Sequence, residues 1–183
     1  MKHLAEARPI ARAFVTDEAE TPGSASYFEM LRRAGREPIA LHRVVAMAPE
    51  VGTAFTALAL ALRTKAVVAR DARELIILRT AQLEGGEYEF AAHREMALAS
   101  GISEAQIAGL AGWREAGPDL FSPRHRAVLA YANALASRTL VADGCYHALT
   151  AHFSPAEIVE LTMTAGFYAA VARFTNGLNI QHG

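Results

Sequence analysis

The chain has 183 residues, 52% of them apolar, with 18 Lys and Arg against 19 Asp and Glu and a formal net charge of -1. That length suffices for one buried core without disulfides or metals. The charge balance excludes the electrostatic surface of a nucleic-acid binder, so the expected partners are a small-molecule substrate and copies of the chain itself.

Residues 1–24 carry no sustained periodicity and read as an N-terminal arm, closing on Thr21-Pro22-Gly23-Ser24; residues 25–183 read as one helical domain. Met1 to Val15 is interrupted by Glu6, Arg8 and Arg12 and lacks the apolar run of a signal peptide. From Ser26 the apolar stripe Tyr27, Phe28, Met30 and Leu31 predicts a helix that stops near Gly35. Ile39 to Met47 predicts a short helix halted by Pro49, and Pro49 in turn opens a helix to about Arg63. The apolar run Val51 to Leu62 falls short of the roughly 20 residues a membrane span needs, so no membrane association is expected.

Asp71 reads as the start of the next helix, and Glu74 follows it at capping-box spacing. Leu75, Ile76, Leu78, Ala81 and Leu83 supply its buried face before Glu84-Gly85-Gly86 breaks it. A second arm runs from about Glu87 to Ser100, completing a helical hairpin. Ser103 to Gln106 caps a short helix, and Ser122-Pro123 opens one that runs to about Ser137. An Asp143-Gly144 turn precedes a helix to about His152. The capping box Ser154 to Glu157 then opens a long helix to about Asn176, with Gly177 as its terminator. The chain therefore reads as all-α, with seven or eight helices and Ala-rich stretches suited to close packing.

The hairpin carries the candidate chemistry. Counting outward from Gly85-Gly86, Glu74 lies eleven residues back and His93 seven forward. On antiparallel helices that is an offset of about 6 Å, which long side chains close. On the second arm Glu89 and His93 stand four apart, with Gly86 and Phe90 on the same face. A glutamate beside an imidazole fixes its tautomer and makes an acid-base pair, while free amides near Gly86 and Glu87 suit a substrate carboxylate or an enolate. Tyr88 adds a hydrogen bond or a proton. The plainer reading makes Glu74 a capping-box residue and His93 a hydrogen-bonded histidine at a helix interface.

The residues Arg73-Glu74-Leu-Ile-Ile-Leu and Tyr88-Glu89-Phe-x-x-His93 resemble the carboxymuconolactone decarboxylase family, which includes the alkylhydroperoxidase-D-like proteins. The resemblance covers about Tyr27 to Asn179. In that family a helical glutamate precedes a Cys-x-x-Cys-x-x-x-His segment. Here the thiol positions hold Gly86 and Glu89, so the chain looks like a cysteine-free branch, and Tyr88 stands where some peroxidase members carry a further histidine. The resemblance implies an alkylhydroperoxidase-D-like helical domain with a central antiparallel hairpin, Glu74, His93 and Tyr88 as catalytic residues, and assembly as dimers, trimers or hexamers. Gly86, Glu89 and Arg173 complete the candidate set, as substrate-binding residues.

Elsewhere the signals are weaker. Cys145, the single cysteine, excludes an internal disulfide, leaves no resolving thiol, and suits a reducing cytoplasm. A nearby histidine and a helix N-terminus would lower its pKa, while the plain reading is inert core or surface. His147 and His152 are five apart, off the spacing of two ligands on one helical face, so no metal is expected and no other cofactor is called for. His42 reads as a surface residue or one that reaches the pocket. Arg173, among Val171, Ala172 and Phe174, either binds a substrate or subunit carboxylate or extends its head to water. Three functions follow: a cofactor-free acid-base enzyme of decarboxylase or lyase type acting on a small carboxylated or lactone-like substrate; a peroxidase dependent on Cys145; or a non-catalytic oligomer that binds a ligand.

Overall fold

The structure, a computed structural model, describes residues 22–137 and 139–180. The arm expected over residues 1–24 lies, but for Pro22, Gly23 and Ser24, outside the described residues. The described residues form nine α-helices and no strand, one or two helices more than the sequence reading. Packing divides the described residues into two units, residues 22–56 with 175–180, and those within 57–174.

In the first unit, α1 (Ser24–Arg33) buries Tyr27, Phe28 and Leu31, and α2 (Ala40–Val45) buries Val44 and Val45. The Tyr27 hydroxyl meets the Thr56 hydroxyl at 2.9 Å, which satisfies both buried oxygens. α3 (Pro49–Thr64) opens on the proline expected to start it. His42 is a local residue of α2, where its Nδ1 accepts from the Ile39 amide at 3.2 Å.

The second unit is organised around α4 (Arg70–Glu84), which packs against α5 (Glu87–Leu98) and α7 (Pro123–Ala136). Every residue of α4 from Ala72 to Ala81 is buried, so this helix has no solvent face in its middle. α4 ends on Gly85 in the left-handed region (φ 66°), with the Gly86 amide donating back to the Ala81 carbonyl at 2.8 Å. This six-to-one bond is a Schellman ending, and only a residue without a Cβ enters that conformation cheaply. It reverses the chain into α5 and forms the expected antiparallel hairpin. α6 (Glu104–Gly109) carries the predicted Ser103 and Gln106 capping box, and α7 is capped by Ser122 with Pro123 at its first position.

Three local expectations are corrected. Asp71 is not a cap: the N-cap position is Ala69, and the Asp71 carboxylate instead accepts from Arg124 Nη1 at 2.6 Å and His125 Nε2 at 3.1 Å. Long-range partners on α7 outcompete the local bond, and Glu74 is thereby free of a capping duty. Asp143-Gly144 is not a turn but the first two residues of α8 (Asp143–Thr150), where an acid in the first turn complements the helix dipole. Gly177 lies inside α9 (Pro155–Leu178); the left-handed residue is Asn179 (φ 54°), with the Ile180 amide bonded to the Thr175 carbonyl at 2.9 Å. Burial of Ile180 accompanies that ending, so the helix stops where its hydrophobic contact is available.

The core of the second unit gathers Leu75, Ile76, Leu78, Leu110, Phe121, Leu129, Leu149 and Leu161, all fully buried. Polar side chains lock its edges. Arg126 donates to the carbonyls of Trp113, Ala116, Gly117 and Phe121, tying down the α6 to α7 connection. Glu160 on α9 accepts from the Val67 and Val68 amides just ahead of α4. Among the described residues no helix is long and apolar enough to cross a membrane.

Candidate active site

Glu74 and His93 meet. His93 Nδ1 lies 2.8 Å from Glu74 Oε2, with both residues at most 5% exposed. The axial offset read from the hairpin is closed by the two side chains. An ionised Glu74 requires the Nδ1–H to donate, which leaves Nε2 as the lone-pair nitrogen. Arg70 Nε stands 3.7 Å from the other Glu74 oxygen, so the carboxylate is bracketed by an imidazole and a half-exposed guanidinium. The edge of the Tyr168 ring packs against the His93 ring, with centroids 4.7 Å apart and planes at 83°.

Tyr168 lies on α9. It is buried, and burial pushes its phenol well above the ordinary tyrosine value, so it stays protonated and can only donate or accept a hydrogen bond. Four charged groups act on that phenol: Arg63, Glu74, Arg73 and Glu89. Sequence reasoning missed Arg63, taken only as the end of an apolar helix, and Arg73, quoted only as a neighbour of Glu74. The available signal was a tyrosine and an arginine placed inside otherwise apolar helical runs.

Glu89 is 2% exposed at the start of α5. A Cβ built on Gly86 would fall 2.7 Å from Glu89 Oε2 and 2.7 Å from the Ala172 Cβ, so Gly86 is where α5 passes closest to α9. The amides proposed to receive a substrate anion there are already engaged: Gly86 N–H donates to Ala81 and Glu87 N–H to the Gly85 carbonyl. The Schellman ending consumes the first donor, and a buried carboxylate stands in the space beside it. Tyr88 is buried on α5.

Arg173 is paired within the chain. Its Nε and Nη2 each lie 2.9 Å from a Glu84 oxygen, in a bidentate pair on an exposed side chain. Two residues in one chain satisfy it, so no substrate is required. Cys145 packs half-buried against the core, and burial raises its thiol pKa despite the charge of Arg114, which opposes the activation expected from a helix N-terminus. Among the described residues no group of three His, Cys, Asp or Glu side chains is placed to hold a metal ion.

The sequence model of the Carboxymuconolactone decarboxylase family matches residues 49–134, the stretch that holds both hairpin helices. No curated protein matches the chain. Among solved structures, a protein of unknown function from Agrobacterium tumefaciens, proposed as an antioxidant defence protein AhpD, is 28% identical, with a TM-score of 0.67 over 74% of this chain and 92% of its own. An uncharacterized peroxidase-related protein from Ralstonia eutropha JMP134, an alkylhydroperoxidase AhpD core, superposes with a TM-score of 0.75 at 22% identity, covering 97% of this chain and 94% of that one. The debrominase Bmp8 gives a TM-score of 0.74 at 14% identity, over 97% and 94% of the two chains. The latter two identities speak for the fold alone. With the all-helical architecture and with Gly86 and Glu89 at the thiol positions, residues 49–134 are similar to the carboxymuconolactone decarboxylase family but lack its Cys-x-x-Cys pair.

Proposed function

We propose that this chain is an acid-base enzyme of decarboxylase or lyase type, in which His93, oriented by Glu74, moves a proton on a small carboxylated or lactone-like substrate. The observation that carries this reading is the buried 2.8 Å contact between His93 Nδ1 and Glu74 Oε2. A carboxylate on Nδ1 fixes the tautomer with its lone pair on Nε2 and stabilises the imidazolium that forms when Nε2 takes a proton. Burial strengthens that electrostatic help, because little water competes for the pair.

In the decarboxylation implied by the family, the bond between carbon and the leaving carboxylate breaks. Its electron pair spreads into an adjacent carbonyl as an enolate and carbon dioxide departs; His93, having taken a proton from water at Nε2, gives that proton to the carbon and returns to the neutral form. The enolate oxygen needs a donor. Tyr168, whose protonated phenol packs beside His93, is the first candidate, and Tyr88 on the same helix as His93 is the second.

A peroxide reductase would have to use Cys145, and its raised thiol pKa disfavours the thiolate that such chemistry needs. Alkylation of Cys145 is expected to leave turnover unchanged. We assign the chain to the cytoplasm, in keeping with its lone thiol, and to a homo-oligomer. The test is proton exchange at the carbon next to the carbonyl in a panel of small carboxylated lactones, followed by proton NMR in deuterated water. Wild-type protein should catalyse it, and His93→Ala and Glu74→Gln should each reduce the rate by about a hundredfold or more. Exchange or turnover that survives His93→Ala unchanged would remove the proposal and leave the ligand-binding reading.

A further inference from the structure

The connection from α6 to α7 gathers three arginines around Trp113, and none of them has a carboxylate. Arg126 on α7 donates its Nη1 to the Trp113 carbonyl at 3.2 Å and spends its other donors on the carbonyls of Phe121, Ala116 and Gly117. Arg79 on α4 is 7% exposed; its Nε donates to Asn133 Oδ1 at 2.9 Å, and its Nη1 donates to the Leu110 carbonyl at 3.1 Å and to Gln82 Oε1. The same Asn133 oxygen accepts from the Trp113 indole Nε1 at 3.3 Å, so Arg79 and Trp113 are joined through one atom. Arg114 stands over the Trp113 ring, its guanidinium carbon 4.5 Å from the centroid. Among the described residues no ion pair forms with Arg79, Arg114 or Arg126, and the acids of the connection, Glu115 and Asp119, are exposed and pair with none of them.

A buried guanidinium without a counter-charge is costly, and charged groups in folded interiors are ordinarily paired. Burial and then the charge of Arg114 both lower the Arg79 pKa, so the two cations are within electrostatic reach of each other. Both keep donors to spend. Arg79 Nη2 makes no hydrogen bond among the described residues, and it is not sealed, because the fully buried side-chain atoms there without a partner are Arg73 Nε and Thr80 Oγ1. Arg114 makes no hydrogen bond among the described residues either, and the indole holds it by a cation–π contact that leaves its N–H groups to a further acceptor. We propose that Arg79 Nη2 and Arg114, braced by Asn133 and Trp113, form a site for a small doubly charged oxyanion, the phosphate group of inorganic phosphate or of a small phosphate monoester. A dianion balances two guanidiniums where a carboxylate would balance one, and each planar fork matches a pair of phosphate oxygens. Trp113 is buried beneath Arg114 and offers no free ring face, which disfavours a ligand with a base to stack. The site is separate from the hairpin pair: Glu74 reaches α5 through His93, whereas Arg79 reaches α7 through Asn133. It therefore goes beyond the acid-base reading and does not depend on it.

The test titrates the full chain, in phosphate-free buffer at low salt, with sodium phosphate, with glycerol 2-phosphate and with sodium acetate as the singly charged control, read by isothermal titration calorimetry. Phosphate or the ester should bind about tenfold or more tightly than acetate, weaken as sodium chloride is raised, and raise the melting temperature. Tighter binding of the free ion supports the site with inorganic phosphate as its ligand, and tighter binding of the ester supports it with a phosphorylated small molecule. Arg114→Ala should weaken binding by about tenfold or more. Its ligand-free melting temperature should stay within about 2 °C of wild type, because the side chain is exposed. Arg114→Lys, which keeps the charge and loses the fork, should recover part of the affinity. Arg79→Met should also lose binding; where it does not fold, the exposed Arg114→Ala carries the test. His93→Ala and Arg173→Ala should bind as wild type does. The proposal is overturned if neither phosphate nor the ester binds, if acetate binds as tightly, if Arg114→Ala binds unchanged, or if His93→Ala abolishes binding and so places the anion at the hairpin.

Discussion

Replacing Gly86 by alanine tests how closely α5 is docked on α9. Gly86 has φ -84° and ψ 77°, so no left-handed conformation forbids a side chain there. The obstacle is steric. The new Cβ would stand 2.7 Å from the Ala172 Cβ and 2.7 Å from Glu89 Oε2. Carbon atoms at contact sit about 3.5–4.0 Å apart, so the helices must separate by roughly 1 Å at this point, or the Glu89 carboxylate must be pushed from its buried position. Overpacking of this kind costs about 1–3 kcal/mol. For a chain of this size that lowers the melting temperature by about 2–12 °C.

Urea denaturation followed by circular dichroism measures the cost, and Ala172→Gly supplies the control. Alone, that change should cost about 1 kcal/mol, because it puts glycine inside a helix. Combined with Gly86→Ala it should recover much of the clash, so the pair falls short of additivity by about 1 kcal/mol or more. Wild-type stability in Gly86→Ala, or strict additivity in the double variant, would refute the close approach. The same wall faces Gly86→Cys, so restoring the first thiol position of the family should cost at least as much stability as the alanine.

Asp71 gives a pH prediction. Burial alone would raise its pKa, but hydrogen bonds from Arg124, His125 and the Ala72 amide, with the charge of Arg124, outweigh it and hold the carboxyl below the usual range. Its stabilisation is therefore complete above the unfolded value of about 4 and is lost as pH falls through the lower folded value. Asp71→Asn should cost about 1 kcal/mol near neutral pH, a difference that narrows toward zero in urea melts at progressively lower pH below about 4; a gap that persists there would contradict the linkage. Self-association is the other expectation. Ala156, Val159, Met163, Gly166 and Ala170 form an exposed row on α9 at alternating spacings of three and four, the pattern of a helix seam. Val159 and Met163 are 57% and 48% exposed. Sedimentation velocity should show an oligomer that Val159→Glu with Met163→Glu shifts to a smaller species, and an unchanged distribution would exclude this row as the contact.

Much of this protein is determined by local chemistry and is therefore legible in the chain. Ser103, Ser122 and Ser154 start helices because their hydroxyls reach amides three residues on, and Gly85 ends one because it tolerates a positive φ. Counting residues outward from that glycine gave the hairpin and placed Glu74 and His93 within reach of each other, and the packed helices bring them to 2.8 Å. What tertiary structure decided was the partner each polar group chose. Asp71 had the spacing of a cap, yet Arg124 and His125, more than fifty residues away in sequence, bound it. Arg173 was open in the sequence to a substrate carboxylate, a subunit carboxylate or water, and Glu84 of the same chain holds it. Arg73 stood in the sequence only as the residue before Glu74, and nothing in the spacing singled out Tyr168. Burial of all sides of α4 left Arg73 without a hydrogen bond at Nε, and the packing of α9 set Tyr168 against the His93 imidazole. Spacing along a chain fixes which groups are near in the helix, whereas the competition among all buried donors and acceptors is settled only when the helices pack.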